Sequence, residues 1–159
     1  MKNTKPGDTY CFALVGHAGD GKTSLGEAIL HACGALPLRL WGTSAEIGRA
    51  EALLQTYICP PVRHLMALGL SGRYDFLDGL VHTYCCDAGC GLFNIWRRNL
   101  RPRFSRMVSL PYQASEEAVD YAETELRGLA DALAVFTGKP FSGGALAESI
   151  RLYEEARGL

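Results

Sequence analysis

The stretch YCFALVGHAGDGKTSLGEAILHAC, residues 10–33, decides the fold of this chain. Its first seven residues form an apolar run typical of a buried strand, and residues 22–33 have the pattern of a helix. Gly34 follows as the expected helix stop. A strand, a glycine-rich turn and a helix in this order predict the first unit of a parallel α/β sheet.

The turn between this strand and helix fits the phosphate-loop spacing G-x-x-x-x-G-K-[ST] from Gly16 to Thr23. In such a loop, glycines such as Gly16 and Gly21 let backbone N–H groups surround a phosphate. Lys22 then reaches the terminal phosphates, and Thr23 holds magnesium. The spacing indicates a site for GTP or ATP with Mg²⁺. The alternative is a glycine-rich turn that binds nothing.

Length and composition describe one soluble globular domain. The chain has 159 residues, of which 48% are hydrophobic and 21% charged. The net charge of -1 gives no reason to expect nucleic acid or an acidic membrane as a partner. No apolar run is long enough to span a membrane, and the polar N-terminus does not resemble a secretory signal. We therefore expect a cytoplasmic protein.

Apolar runs alternate with helical patterns up to residue 112, and the chain is then helical. We expect an α/β fold, with a Rossmann-like parallel sheet flanked by helices and a C-terminal helical pair. Residues 1–112 would form the α/β domain, with its strand-turn-helix at 10–33, and residues 113–159 a helical extension. The expected strands are 10–16, 36–42, one within 76–84 and 106–111. Helices are expected at 22–33, 60–72 and 88–100, and a short extended piece near residue 58.

Serines begin the two helices of the C-terminal pair. Ser115, followed by two glutamates, and Ser142 are the expected N-caps, and Gly138 ends the first helix. Trp41 and Trp96 are expected in the core. Spacings of three and four predict the packed face of each helix. On the first helix this face comprises Val119, Ala122, Leu126, Leu129, Leu133 and Phe136, and on the second Leu146, Ile150 and Tyr153.

Six cysteines occur without a regular C-x-x-C pair, which argues against a zinc ribbon. In an α/β chain they indicate thiolate ligands or buried thiols rather than disulfides. Cys59 and Cys86 each follow a strand-like segment and directly precede a helix. Ligands gather at the carboxyl ends of parallel strands, and a helix N-terminus favours the thiolate that iron requires. The alternative for both residues is a small packed hydrophobe.

Residues 12–35, FALVGHAGDGKTSLGEAILHACGA, resemble the start of the GTPase domain of translation elongation factor G. That resemblance implies nucleotide binding at the glycine-rich turn. It also implies a D-x-x-G switch and an N-K-x-D guanine motif, and neither occurs in this chain. Asp87, at the end of GLVHTYCCD, is placed as a magnesium-binding aspartate after a strand, but neighbouring cysteines suggest another role.

From about Leu30 to residue 159, the chain resembles the N-terminal part of a subunit of the 2-hydroxyacyl-CoA dehydratase / benzoyl-CoA reductase family. This match is longer and more specific than the GTPase match. The matching segments include HACGALPLRLWG, IGRAEALLQTYICPPVR, GRYDFLDGLV, CCDAGCGLFNIWRRN, SLPYQASEEAVDYAETELRGLADALAVFTGK and ALAESIRLYEEAR.

This resemblance implies particular site residues. The YICPPVR motif places a cluster ligand at Cys59 and a substrate-site arginine at Arg63. The CD of the second motif places another ligand at Cys86. Cys85 and Cys90 are extra to the family pattern, and each is a weaker candidate ligand or a packed thiol. The third family cysteine lies downstream, so this chain resembles the first third to half of a subunit.

The resemblance also implies the chemistry. A [4Fe-4S] cluster next to an acyl-CoA site would support radical dehydration of a 2-hydroxyacyl-CoA, with electrons from a separate ATP-dependent activator. The expected partners are this activator and a second dehydratase subunit. The alternatives are a P-loop nucleotide-binding module and a non-catalytic fusion of a GTPase start to a dehydratase piece.

Weaker interpretations concern histidines and arginines. His64 and His82 flank the cysteines and could donate to a substrate carbonyl, although such residues are more often ordinary core or surface imidazoles. A basic stretch could meet CoA phosphates, and a solvated helix end is the stronger interpretation. It comprises Arg97, Arg98, Arg101, Arg103 and Arg106.

Overall fold

The structure, a computed structural model, describes residues 9–16, 21–41 and 47–158. Strands and helices alternate along the chain in the predicted order, with a 3₁₀ helix at Gly48–Ala52. The strands are β1 (Tyr10–Val15), β2 (Ala35–Arg39), β3 (Gly79–Thr83) and β4 (Phe104–Val108). The helices are α1 (Lys22–Ala32), α2 (Pro60–Leu70), α3 (Asp87–Asn99), α4 (Glu116–Thr137) and α5 (Gly143–Arg157).

The four strands form one parallel sheet in the order β2-β1-β3-β4. β1 and β3 are central neighbours, with Val15 aligned to His82. The chain passes from β1 to the edge strand β2 and then crosses to β3 on the other side of β1. The prediction of an α/β fold with a parallel sheet and C-terminal helices is confirmed.

Alternate side chains of each strand enter two separate cores, because successive side chains point to opposite faces of a sheet. Phe12 and Leu14 pack with α1 and α4, where Leu129 and Leu133 are buried. Neighbouring positions on β1 pack with α2 and α3 on the other face. Helix α5 lies outside α1, where His31 Nδ1 and Ser149 Oγ are 2.8 Å apart.

Two predicted extended segments differ from the structure. β4 begins at Phe104 and ends at Val108, whereas the sequence predicts a strand at 106–111. Thr83, the last residue of β3, aligns with Val108, so residues 109–111 have no neighbouring strand to pair with. The prediction of a short extended piece near residue 58 is also wrong, because a turn occupies residues 56–58 before α2 begins.

Burial corrects three of the predicted core residues. Trp96 is buried as expected, but Trp41 is 60% exposed beyond the end of edge strand β2. Val119 is 64% exposed. The 22-residue α4 is about twice as long as a five-residue strand, so its first turns extend past the sheet. On α5, Ser149 is buried and Ile150 is exposed, because the helix meets α1 through a polar contact.

Candidate functional site

The site expected from the sequence lies at the carboxyl edge of the sheet. β1 and β3 are adjacent there, but the helices that follow them pack on opposite faces. This divergence makes a topological switch point, where open parallel sheets commonly bind ligands. The segment Thr83–Cys86 leaves β3 at this point, and Gly16 follows β1.

Cys59 and Cys86 occupy equivalent positions on two neighbouring helices. Cys59 is the N-cap of α2, where Pro60 fits the first turn, and Cys86 is the N-cap of α3. Both residues are exposed. They line one cleft of about 910 Å³, together with Leu54, Asp87 and Ile95. We call it the cysteine cleft. The structure thus brings together the two residues that the sequence indicated as ligands.

The sulfur of Cys86 accepts a hydrogen bond from the backbone N–H of Gly89, with 3.4 Å between N and Sγ. A serine or aspartate oxygen usually occupies this capping position. Free N–H groups in the first turn of a helix stabilise negative charge placed before them. The local backbone therefore provides a hydrogen-bond donor to the sulfur of Cys86.

The two weaker candidate sulfurs lie near Cys86 but do not line the cysteine cleft. Cys85 Sγ is 4.0 Å from Cys86 Sγ, and both side chains are thiols. Cys90 lies one turn further along α3, and its Sγ accepts from Asn94 Nδ2 at 3.7 Å. Cys85 thus has its sulfur beside that of the expected ligand Cys86, and the sulfur of Cys90 contacts Asn94.

Asp87 extends from the first position of α3 into the cysteine cleft. Tyr84 Oη donates to Asp87 Oδ1 at 3.0 Å, and this hydrogen bond is the main cause that raises the pKa of Tyr84. Asp87 adds an acidic group to a cleft that is otherwise lined largely by aliphatic side chains, and Tyr84 holds this carboxylate from outside the lining.

Arg63 lies in the first turn of α2, as expected, but it faces the 3₁₀ helix. Its Nη2 donates to Glu51 Oε1 at 3.0 Å, and the residue does not line the cysteine cleft. His64, the next residue on the helix, does not line it either.

The basic stretch is at the opposite edge of the sheet. Arg103 precedes β4, so it lies at the amino ends of the strands, where its Nη1 donates to Asp78 Oδ1 at 3.3 Å. Arg106 is within β4 and next to Gly128 of α4. The structure therefore does not bring these arginines to the cysteine cleft.

The glycine-rich turn lies partly outside the described residues, because residues 17–20 are not described. Gly21 has a φ of 68° and precedes α1, whose first residue is Lys22. Lys22 Nζ is 4.2 Å from the centre of the Tyr112 ring, and Thr23 is buried. A Cβ atom on Gly16 would collide with Thr83 Oγ1, so a glycine is required where the ends of β1 and β3 meet.

The sequence indicates His82 only as a weak candidate donor, and it does not point to Gly89. The structure buries His82 within β3 with its ring against Gly89. A histidine inside the apolar run GLVHT was the available signal. What the ring packs against depends on how α3 lies on the sheet.

The cysteines of the cleft can be compared with the ligands of an iron–sulfur cluster, which are cysteine thiolates. Two exposed thiols at the mouth of one cleft fit part of such a ligand set. Within residues 9–16, 21–41 and 47–158, no three His, Cys, Asp or Glu side chains are grouped so that they could hold a metal ion. The described residues therefore fit a partial set of two thiols.

None of the helices among the described residues is both long and apolar enough to cross a membrane.

The fold and the cleft define a Rossmann-like α/β protein with a pair of exposed thiols at its switch point. Comparison with known proteins shows its family. The sequence model described as 2-hydroxyglutaryl-CoA dehydratase, D-component, matches residues 23–159. The chain therefore belongs to this family.

Three curated relatives are similar to this chain. A benzoyl-CoA reductase subunit from Thauera aromatica is 33% identical over 134 residues. The beta subunit of (R)-phenyllactyl-CoA dehydratase from Clostridium sporogenes is 23% identical, and that of lactoyl-CoA dehydratase from Anaerotignum propionicum is 27% identical. Each match covers 82% of this chain and 35% of the relative, so the chain spans about a third of their length.

The family match begins at Thr23 and does not include the turn from Gly16 to Lys22. The three relatives are subunits of reductases and dehydratases, and they lend no support to the resemblance of residues 12–35 to elongation factor G.

Proposed function

We propose that this chain is part of a dehydratase-type enzyme subunit and that it contributes two thiolate ligands, Cys59 and Cys86, to a [4Fe-4S] cluster. The observation that carries the proposal is that both sulfur-bearing residues are helix N-caps at the mouth of the same cleft. The family membership of the chain supports it.

A cluster in the cysteine cleft would supply single electrons to an acyl-CoA substrate, and a separate ATP-dependent activator would replenish them. Asp87 would form the polar wall beside that substrate, and Tyr84 would orient it through the 3.0 Å hydrogen bond to Oδ1. The remaining ligand would come from outside the described residues or from a second subunit. Removal of water from a 2-hydroxyacyl-CoA is the reaction that we propose for the assembled enzyme.

Anaerobic reconstitution with iron and sulfide tests the two ligands. Wild-type protein is expected to take up iron and sulfide and to absorb visible light, and Cys59→Ala and Cys86→Ala are each expected to lose most of both. Cys11→Ala is the matched control, because Cys11 is at the start of β1 and away from the cleft. Cys85→Ala shows whether the neighbouring thiol takes part. Wild-type protein that remains colourless and free of iron contradicts the proposal.

A second candidate function is phosphate binding at the glycine-rich turn. It is favoured by the place of Gly16 at the switch point and of Lys22 and Thr23 in the first turn of α1. Titration with fluorescently labelled GTP and ATP in the presence of Mg²⁺ tests it. Binding by wild-type protein that is lost in Lys22→Ala supports it, and binding that survives this substitution contradicts it.

A further inference from the structure

His82 is a buried polar side chain in an apolar setting. It is 1% exposed, and the ring of Phe93 packs against it with 6.2 Å between the ring centres. In the part of the chain that the structure describes, neither ring nitrogen has a hydrogen-bond partner. An unpaired buried polar group destabilises a fold relative to an apolar group of the same shape. Its presence in β3 therefore needs an explanation other than packing.

The His82 ring is directed at the first turn of α3. A Cβ atom on Gly89 would stand 2.8 Å from His82 Nε2 and 3.6 Å from Cys85 Sγ. The imidazole edge and this sulfur thus lie on the same side of the Gly89 backbone. The N–H of Gly89 itself points to Cys86 Sγ. His82 and the sulfurs of Cys85 and Cys86 therefore all lie next to Gly89.

The ring is neutral at ordinary pH. Burial lowers the pKa of His82 to about 4. The backbone of Thr83 has a smaller effect that raises this pKa, although neither ring nitrogen forms a hydrogen bond of normal geometry with the described residues. A neutral imidazole has one N–H donor and one acceptor nitrogen. His82 can therefore donate to a charged sulfur without carrying charge into the core.

We propose that His82 is a positioning residue that donates an N–H hydrogen bond to anionic sulfur at the first turn of α3, the Cys85 or Cys86 thiolate or a cluster sulfur held there. The inference rests on the proposed thiolate site. Hydrogen bonds to the sulfurs of a cluster stabilise its more negative, reduced form and so raise its reduction potential. Gly89 places no side chain between the His82 ring and Cys85 Sγ, where a Cβ atom would contact both.

The first test uses Cd²⁺, a diamagnetic ion that binds thiolates, and ¹⁵N NMR of the imidazole nitrogens in the full chain. Cd²⁺ is expected to shift the His82 donor nitrogen in wild-type protein and not in Cys59→Ala or Cys86→Ala. His31 is the internal control, because its Nδ1 is paired with Ser149 Oγ at 2.8 Å and lies across the molecule on α1. Bound Cd²⁺ with an unchanged His82 signal would overturn this inference and leave the proposed function standing.

The second test is the reduction potential of the reconstituted protein. His82→Phe fills the core without a donor and is expected to lower the potential, and His82→Gln keeps an N–H donor and is expected to stay nearer the wild-type value. Equal potentials in all three proteins would contradict the inference while leaving the cluster in place. Failure of wild-type protein to bind either iron or Cd²⁺ would instead overturn the proposed function, and this inference with it.

Discussion

Glu27 on α1 forms an ion pair with Arg157, the last residue of α5, across 130 positions of the sequence. Glu27 also pairs with Arg39 at the end of β2, and its side chain is only 9% exposed. One buried carboxylate thus joins the edge of the sheet to the outermost helix. Neither the charge nor the position of Glu27 in the sequence indicates this role, because both partners are distant along the chain.

Glu27→Gln is expected to lower the free energy of unfolding by about 1–3 kcal/mol, because the charge-assisted hydrogen bonds from Arg39 and Arg157 lose their acceptor charge. Urea unfolding measures the change, and faster amide exchange in α5 would locate it. Glu155→Gln is the control, since Glu155 pairs with Arg151 on the surface of the same helix and is expected to change stability by at most about 0.5 kcal/mol. Equal effects of the two substitutions would contradict this role of Glu27.

Two glycines of α3 are expected to respond in opposite ways to alanine. A Cβ on Gly89 would stand 2.8 Å from the His82 ring, so Gly89→Ala is expected to cost about 1–3 kcal/mol. Gly91 has open space within 4 Å of its Cβ position, and Gly91→Ala is expected to stabilise the helix by about 0.5–1 kcal/mol. Thermal unfolding of both variants measures the two stability changes. Stabilisation by both substitutions would show that Gly89 of α3 is not tightly packed against His82.

The buried His82 makes stability depend on pH. Its pKa in the folded protein is about 4, against 6.5 for an ordinary histidine, so the unfolded chain takes up a proton first as the pH falls. The contribution of His82 is complete above pH 6.5 and is lost as the pH falls from there towards 4, by about 2 kcal/mol at pH 5. Urea unfolding at pH 7 and pH 5 measures it. His82→Gln is expected to be less sensitive to acid than wild type, and equal sensitivity would be the contrary result.

The fold was predictable because its signals are local. The alternation of apolar runs and helical patterns indicates the element order. Ser115 and Ser142 cap their helices as predicted, because their Oγ atoms accept hydrogen bonds from the N–H groups of Ala118 and Ala145. The errors concern the burial of particular side chains. Whether Val119 or Trp41 is covered depends on how far the neighbouring elements reach, and spacing along one element contains no such information.

The candidate site was predictable in part for the same reason. Cys59 and Cys86 follow the rule that ligands gather at the carboxyl ends of parallel strands, and the cleft contains both. The surroundings of a residue were not predictable. Arg63 donates a hydrogen bond to Glu51, and His82 has no hydrogen-bond partner among the described residues. The surroundings of both side chains depend on contacts between elements that come together only in the folded protein.

Leu129 and Val119 lie on the same predicted face of α4, but the structure places them differently. Leu129 is 1% exposed in the core with α1 and β1, and Val119 is 64% exposed. Leu129→Ala is expected to lower the free energy of unfolding by about 2–5 kcal/mol, because it leaves a cavity. Val119→Ala is expected to change it by at most about 0.5 kcal/mol. Guanidinium unfolding compares the two, and similar losses would mean that the first turns of α4 are covered.

The cysteines are expected to differ in reactivity towards iodoacetamide at pH 8. Burial, with a smaller effect of Asp131, raises the pKa of Cys33 to about 11, and its Sγ lies 3.8 Å from the carbonyl oxygen of Ala130. Because the thiolate is the nucleophile, Cys33 is expected to react only after unfolding.

Cys59 and Cys86 are exposed and are expected to react in the native protein. Mass spectrometry of peptides after timed labelling, with and without urea, measures each rate. Rapid native labelling of Cys33 would show that α4 does not seal this core, and slow labelling of Cys59 and Cys86 would show that the cysteine cleft is closed in solution.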